Sequence, residues 1–202
     1  MYAQTRARTL ADLAGGATWM REVVLVVGTS IAIGAVAQLE IRLPWTPVPV
    51  TLQPLAVFIA GAALGSRRAA AAIAAYLLQG AVGLPVFAGG ASGVAHLLGP
   101  SGGYLFGFLP AAFAIGFLAE RGWDRSPVRA FAAMCVGSSL LFVCGLLQLA
   151  VYIPRDQLLA AGLYPFVVGD LLKMAAAAAL LPAAWKLLGR TGAALGVGDR
   201  VG

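Results

Sequence analysis

Phe166-Val-Val-Gly-Asp-Leu-Leu-Lys-Met174 lies near the start of the last long apolar run and carries two opposite charges, Asp170 and Lys173. Three residues apart on a helix, their side chains share one face. A charge within the hydrocarbon layer of a membrane costs roughly 2.5–3.5 kcal/mol on insertion scales, so a pair placed there points to a functional role. Two questions follow: whether this run lies in a membrane, and what the rest of the chain places around it.

Composition answers the first. Of the 202 residues, 60% are hydrophobic and only 11% are charged, with a mean hydropathy of +0.88. A soluble domain carries about 25% charged residues. The chain therefore reads as an all-α integral membrane protein, a single bundle of six transmembrane helices, with no soluble segment long enough to build a second core. The apolar runs place the helices at 23–39, about 51–64, 69–84, 104–118, 130–152 and 165–188. Residues 1–22 and 189–202 are left as polar tails. The first 21 residues are basic and lack the apolar core of a signal peptide, so the first run reads as a retained helix.

The formal net charge of +6 is a topology signal, since no aromatic-rich basic patch suggests a nucleic-acid surface. Arg6, Arg8, Arg21, Arg67, Arg68, Arg121, Arg125, Arg129, Lys186, Arg190 and Arg200 fall on one side of a six-span chain, and only Arg42 and Arg155 on the other. Basic residues collect in cytoplasmic loops, so both termini are expected in the cytoplasm. Losing one span would spoil this segregation.

Three connections then lie on the outer side. The first, Glu40-Ile-Arg-Leu-Pro-Trp-Thr-Pro-Val-Pro-Val-Thr-Leu-Gln53, holds three prolines and cannot be a regular helix. Its Pro-Val-Pro-Val portion reads as extended chain. The second, from Pro85 to Tyr104, is glycine-rich, uncharged and partly apolar. Irregular backbone near membrane depth survives when buried in protein or lining a cavity. The third is a turn at Pro154. Asp170 falls about five residues into helix six from this side, roughly 7–8 Å deep at 1.5 Å per residue.

Asp170 supplies only acceptors, and Lys173 a compact cation with three donors. Together they suit a small molecule bearing N–H donors and a carboxylate. Thr51 and Gln53 add neutral hydrogen bonds at the pocket mouth, and Trp45, Phe87 and Tyr104 supply apolar walls. The competing structural reading has the pair satisfy itself and lock two helices. In helix one, Gly28, Ala32 and Gly34 form a small-residue pattern that permits close helix approach, to a partner or within the bundle. Cys135 and Cys144, nine residues apart, fall on opposite faces of one helix and cannot pair with each other. No Cys/His spacing suits a metal, and no Gly-x-x-x-x-Gly-Lys-Ser/Thr phosphate loop exists.

Two other functions compete. Gly90-Ala-Ser-Gly93 has the Gly-x-Ser-Gly form of an intramembrane serine protease, and His96 is the sole histidine. A Ser92–His96 dyad within one loop lacks the usual arrangement on separate helices. A scaffold bundle without ligand is the other.

Three motifs together carry a resemblance: Pro47-Val-Pro-Val-Thr-Leu-Gln53, the loop Gly83-Leu-Pro-Val-Phe-Ala-Gly-Gly90 continuing to Gly99-Pro-Ser-Gly-Gly-Tyr104, and Gly169-Asp-Leu-Leu-Lys173. In order and spacing, over nearly the whole chain, they resemble BioY, the biotin-specific substrate-binding (S) component of energy-coupling factor (ECF) transporters. The resemblance implies high-affinity biotin binding and uptake across the bacterial cytoplasmic membrane, with no enzymatic step and no cofactor. It implies a pocket under the first and third extracellular loops, Asp170 on the ureido N–H groups of biotin, and Lys173 on polar or carboxylate atoms. Thr51, Gln53, Gly90 and Tyr104 match the loop motifs. It further implies a transmembrane coupling subunit with a pair of ATPases as partner, dispensable in some members, with self-association left open. Docking through the small-residue face of helix one then favours Gly28, Ala32 and Gly34 as an interface. The chain departs from the family in having Ser101 where threonine is more usual, and Pro54 directly after Gln53. His96 receives no role.

Overall fold

Among the described residues, six helices of twelve or more residues run back and forth between two ends of a bundle: α1 (Trp19–Ala37), α2 (Gln53–Leu64), α3 (Ser66–Ala81), α5 (Gly102–Ala119), α6 (Pro127–Leu149) and α8 (Tyr164–Ala194). Two short helices, α4 (Val94–Leu97) and α7 (Leu158–Gly162), sit in the connections. The computed structural model describes residues 9–14 and 18–194. Arg6, Arg8, Arg200 and much of the two expected tails lie outside the described residues.

Local chemistry sets the boundaries. Thr18 caps α1 by accepting the Arg21 backbone N–H at 3.4 Å. Pro54 and Pro127 occupy the first turns of α2 and α6, where a missing N–H does no harm. Gly65, at φ 84°, lets α2 turn directly into α3. The helix α3 therefore starts three residues before the expected 69, and Arg67 and Arg68 lie in its first turn. The last helix continues six residues beyond the expected 188, to Ala194. The proline connection forms a two-residue hairpin, β1 (Glu40–Ile41) against β2 (Val50–Thr51), with Glu40 opposite Thr51.

Among the described residues four runs are long and apolar enough to cross a membrane: Trp19–Ala37, Gly102–Ala119, Pro127–Leu149 and Leu158–Leu187. The helix Gln53–Leu64 is apolar but shorter. The helix α5 is central and packs most closely on α6. A β-carbon at Gly103 or Gly107 would collide with the α6 backbone at Leu141 to Cys144, so these glycines set the helix separation. Burial falls outward to α1, which leaves Val23, Val24, Val27 and Ile31 exposed.

The ends differ. At one, Gln38 donates from Nε2 to the Phe87 carbonyl at 3.1 Å and accepts the Gly90 N–H at 2.9 Å. There also Gln148 donates to the carbonyls of Leu97 and Gly99 at 2.9 and 2.7 Å. These two amides, from the end of α1 and from α6, fasten the glycine loop to the bundle at both of its ends. At the other end, Glu120 accepts from the Ser66 N–H and hydroxyl at 2.7 and 2.8 Å. Trp185 Nε1 donates there to Asp124.

Candidate ligand-binding site

Each wall of the cavity at the loop end comes from a different element. The hairpin contributes Val48, Pro49 and Thr51, and the start of α2 contributes Gln53 and Pro54. The glycine loop brings Ala88, His96 and Ser101, and α5 brings Tyr104, Leu105 and Phe108. Leu141 and Phe142 of α6 and Phe166, Asp170 and Lys173 of α8 complete it. The space is narrow, about 50 Å³.

Asp170 and Lys173 form the charged floor. Lys173 Nζ donates to Asp170 Oδ1 at 2.8 Å, and the two residues are only 3% and 9% exposed. Both lie on α8, so their bond ties no second helix. The reading of a pair that locks two helices therefore fails on geometry. Asp170 Oδ2 and the remaining Lys173 protons have no partner among the described residues. A buried ion pair is costly unless its remaining valences are satisfied, and these face the cavity.

The neutral groups are held in a chain. Gln53 Nε2 donates to the Tyr76 hydroxyl at 2.6 Å. Thr51 Oγ1 donates to Gln53 Oε1 at 3.3 Å and accepts the Gln53 N–H at 3.2 Å. Tyr104 donates its hydroxyl to the Gly162 carbonyl at 2.7 Å, so it offers its ring to the cavity. Its ring packs against Phe142 and Phe166, with centroids 6.4 and 6.0 Å apart.

Five of the six residues expected to touch ligand line this cavity: Asp170, Lys173, Thr51, Gln53 and Tyr104. Gly90 does not; its N–H is bound to Gln38, and it belongs to the outer face of the loop. Two expected walls are elsewhere. Trp45 is 64% exposed. Phe87 is fully buried, edge-on to Tyr76 with centroids 5.5 Å apart. A β-carbon at Gly80 would overlap its ring, so Phe87 fills core space behind the cavity. His96, unassigned from sequence, is stacked on Phe87 at 5.3 Å and lines the cavity. Burial holds its imidazole below the ordinary value, and Glu40 only partly opposes this. Ser92 makes no hydrogen bond to His96 among the described residues, so the geometry lends the dyad no support.

On α1 the small residues divide. Gly28 and Ala32 are exposed, whereas Gly34 is buried, and its β-carbon position lies 3.2 Å from Val86. Ala32 and Gly34 are about 200° apart on a helix, so they cannot share an outward face.

The family model described as the BioY family matches residues 5–190. The chain belongs to the BioY family. A BioY relative from Thermotoga maritima, named biotin transporter BioY, is 41% identical over 139 residues, covering 68% of this chain and 81% of that one. A probable biotin transporter BioY from Pyrococcus horikoshii is 36% identical over 155 residues, covering 76% and 90%. One from Rhizobium etli, named biotin transporter BioY, is 37% identical over 169 residues, covering 79% and 90%. The fold is also similar to a crystal structure of the S-component for biotin from an ECF-type ABC transporter, with a TM-score of 0.76 and 27% identity over 85% of this chain and 95% of that one. With its apolar helices, this BioY chain is a multi-pass membrane protein of a transporter family.

The residues that sequence reading missed are mostly apolar: Leu105, Phe108, Leu141, Phe142 and Phe166. In a membrane helix they carry no signal that separates a cavity wall from a lipid face or a core.

Proposed function

We propose that this chain captures biotin at the loop end and passes it across the bacterial cytoplasmic membrane as the S component of an ECF-type transporter. The observation that carries this reading is the buried Asp170–Lys173 pair, with valences left open toward a cavity under two loops. Biotin joins a ureido ring, with two N–H donors and a carbonyl, to an apolar chain ending in a carboxylate. Asp170 accepts from the ureido N–H groups, and Lys173 donates to polar oxygen. Thr51 and Gln53 orient the ring, and the aromatic cluster around Tyr104 encloses its apolar part. Gly90 acts in the lid, through its bond to Gln38, and does not contact the ligand.

In this reading residues 23–188 are the membrane domain with six spans, flanked by two cytoplasmic tails, and the loop end faces outward. The positive-inside distribution of arginine and lysine supports it. Gly28 and Ala32, on the exposed face of α1, meet a coupling subunit that carries an ATPase pair, while Gly34 packs inward. No covalent chemistry is required. The ligand shifts the equilibrium between outward and inward forms only by its differential affinity for them, and the coupled ATPases drive release.

Mass spectrometry of the detergent-purified protein is expected to find co-purified biotin. Calorimetric titration is expected to show Asp170→Asn binding biotin at least about tenfold more weakly, roughly 1.4 kcal/mol. Absence of biotin from the preparation together with no binding heat would overturn the proposal.

A further inference from the structure

A second, wider cavity of about 420 Å³ adjoins the narrow one. The two share Pro49, Ala88, His96 and Ser101 as walls, so the second is the vestibule of the first. Its charged groups are Glu40 and Arg42. Arg42 Nε donates to Glu40 Oε1 at 2.7 Å. The Arg42 side chain is 73% exposed, and that of Glu40 only 14%. The two terminal nitrogens of Arg42 have no partner among the described residues.

The position of the pair is set by the opposite loop. Gly89, at φ 64°, lies so close that a β-carbon there would overlap Arg42 Nη2 and approach Glu40 Oε1 to 2.6 Å. One edge of the guanidinium thus lies against the glycine loop at the mouth, while the side chain stays largely exposed. Nε is occupied, and the terminal N–H groups remain to receive an anion. Neutral donors stand beside it: Ser101, and Thr46, whose oxygen accepts the Val48 N–H at 3.2 Å and leaves its proton to give.

We propose that Arg42 is a specificity-determining residue that receives the carboxylate end of the ligand in the vestibule, while the ureido end occupies Asp170 and Lys173. This rests on the biotin reading above and deepens it. The two ends of one molecule are read in two adjoining cavities. Arg42 reads the carboxylate, and Glu40 both aims the guanidinium and sets a like charge against excess anion. Lys173 is thereby left for the ureido oxygen. The ligand class is a neutral polar ring joined by an apolar chain to a monocarboxylate, and an amide at that end is discriminated against.

The test compares biotin with biotinamide, its uncharged analogue, on the native chain, Arg42→Gln, Arg42→Lys and Glu40→Gln. The native chain is expected to favour biotin about fivefold or more, as a partly exposed charge pair allows. That ratio should fall to within about twofold in Arg42→Gln, persist in part in Arg42→Lys, and shrink with added salt. Glu40→Gln breaks the same ion pair but is expected to preserve or raise the ratio. Were the pair only a latch between loops, both substitutions would weaken biotin and biotinamide together and leave the ratio unchanged. That result, or a native chain that does not distinguish the two ligands, overturns the assignment. Failure of the native chain to bind either ligand overturns the biotin reading itself.

Discussion

The two ends of the bundle treat charge in opposite ways. At the end opposite the loops, Arg68 holds Asp12 at 2.7 Å and Glu22 at 2.6 Å, so one cation closes on two carboxylates. Glu120 is likewise occupied by Ser66. At the loop end, Asp170 and Lys173 are more deeply buried, yet their bonding is incomplete. The first arrangement is a clasp, joining the turn at Leu10–Ala14, α1 and α3. The second binds no elements together, and its open valences mark it as a site. What separates these two clusters is that the clasp's ion pairs join different elements, whereas the site's pair stays within one helix and lines a cavity.

The largest expected effect attacks the site. Lys173→Ala leaves a buried carboxylate alone and is expected to cost about 3 kcal/mol of stability as well as ligand affinity. Asp170→Leu with Lys173→Met removes both charges and should restore thermal stability in detergent without restoring biotin binding. Recovery of binding in the double variant would show the pair to be scaffold, and the contrast between the ends would collapse.

A smaller effect is expected at the clasp. Arg68→Ala should lower stability by about 1–2 kcal/mol, since all three side chains are partly exposed and screened, and should change biotin affinity by less than about twofold. Thermal melts and calorimetry on the same preparation would read both. A tenfold loss of biotin affinity would mean that the two ends are coupled.

The smallest effect concerns Asp124, buried at the clasp end. Its carboxyl is raised above the ordinary range by burial, against the hydrogen bond from Trp185 and the charge of Arg125. The folded chain therefore holds this proton more tightly than the unfolded chain does. The stability contributed here is fully present below about pH 3.8 and is lost as pH rises through the folded value. Asp12 works the other way. Burial would raise it, but Arg68 and Thr9 together hold it below the ordinary range, so its contribution is present above about pH 3.8 and lost in acid. Asp124→Asn should flatten the fall of the melting temperature as pH rises above about 3.8. An unchanged profile would remove Asp124 from the account.

Much of this was legible in the chain. The helices follow from apolar runs broken by Pro44, Pro47 and Pro49, by the glycine-rich connection after Pro85 and by Pro154, because hydropathy and backbone preference act locally. The pair Asp170 and Lys173 was legible for a related reason: charge is expensive in an apolar run wherever that run packs. Gly34 could have been separated from Ala32 by helical angle alone.

Other assignments needed tertiary structure. Phe87 and Phe166 are similar buried rings in sequence terms, yet one fills core beside Gly80 and the other walls the cavity. Trp45 sits in the motif loop and still points away. His96 gains its place only because Phe87 stacks beneath it, and Arg42 gains its own because Gly89 approaches from a loop almost fifty residues distant. The amino-acid order determined where the helices lie and which charges are costly, since those energies belong to each residue and its neighbours. Which apolar faces meet, and which side chains therefore surround the same space, was decided by packing among distant segments.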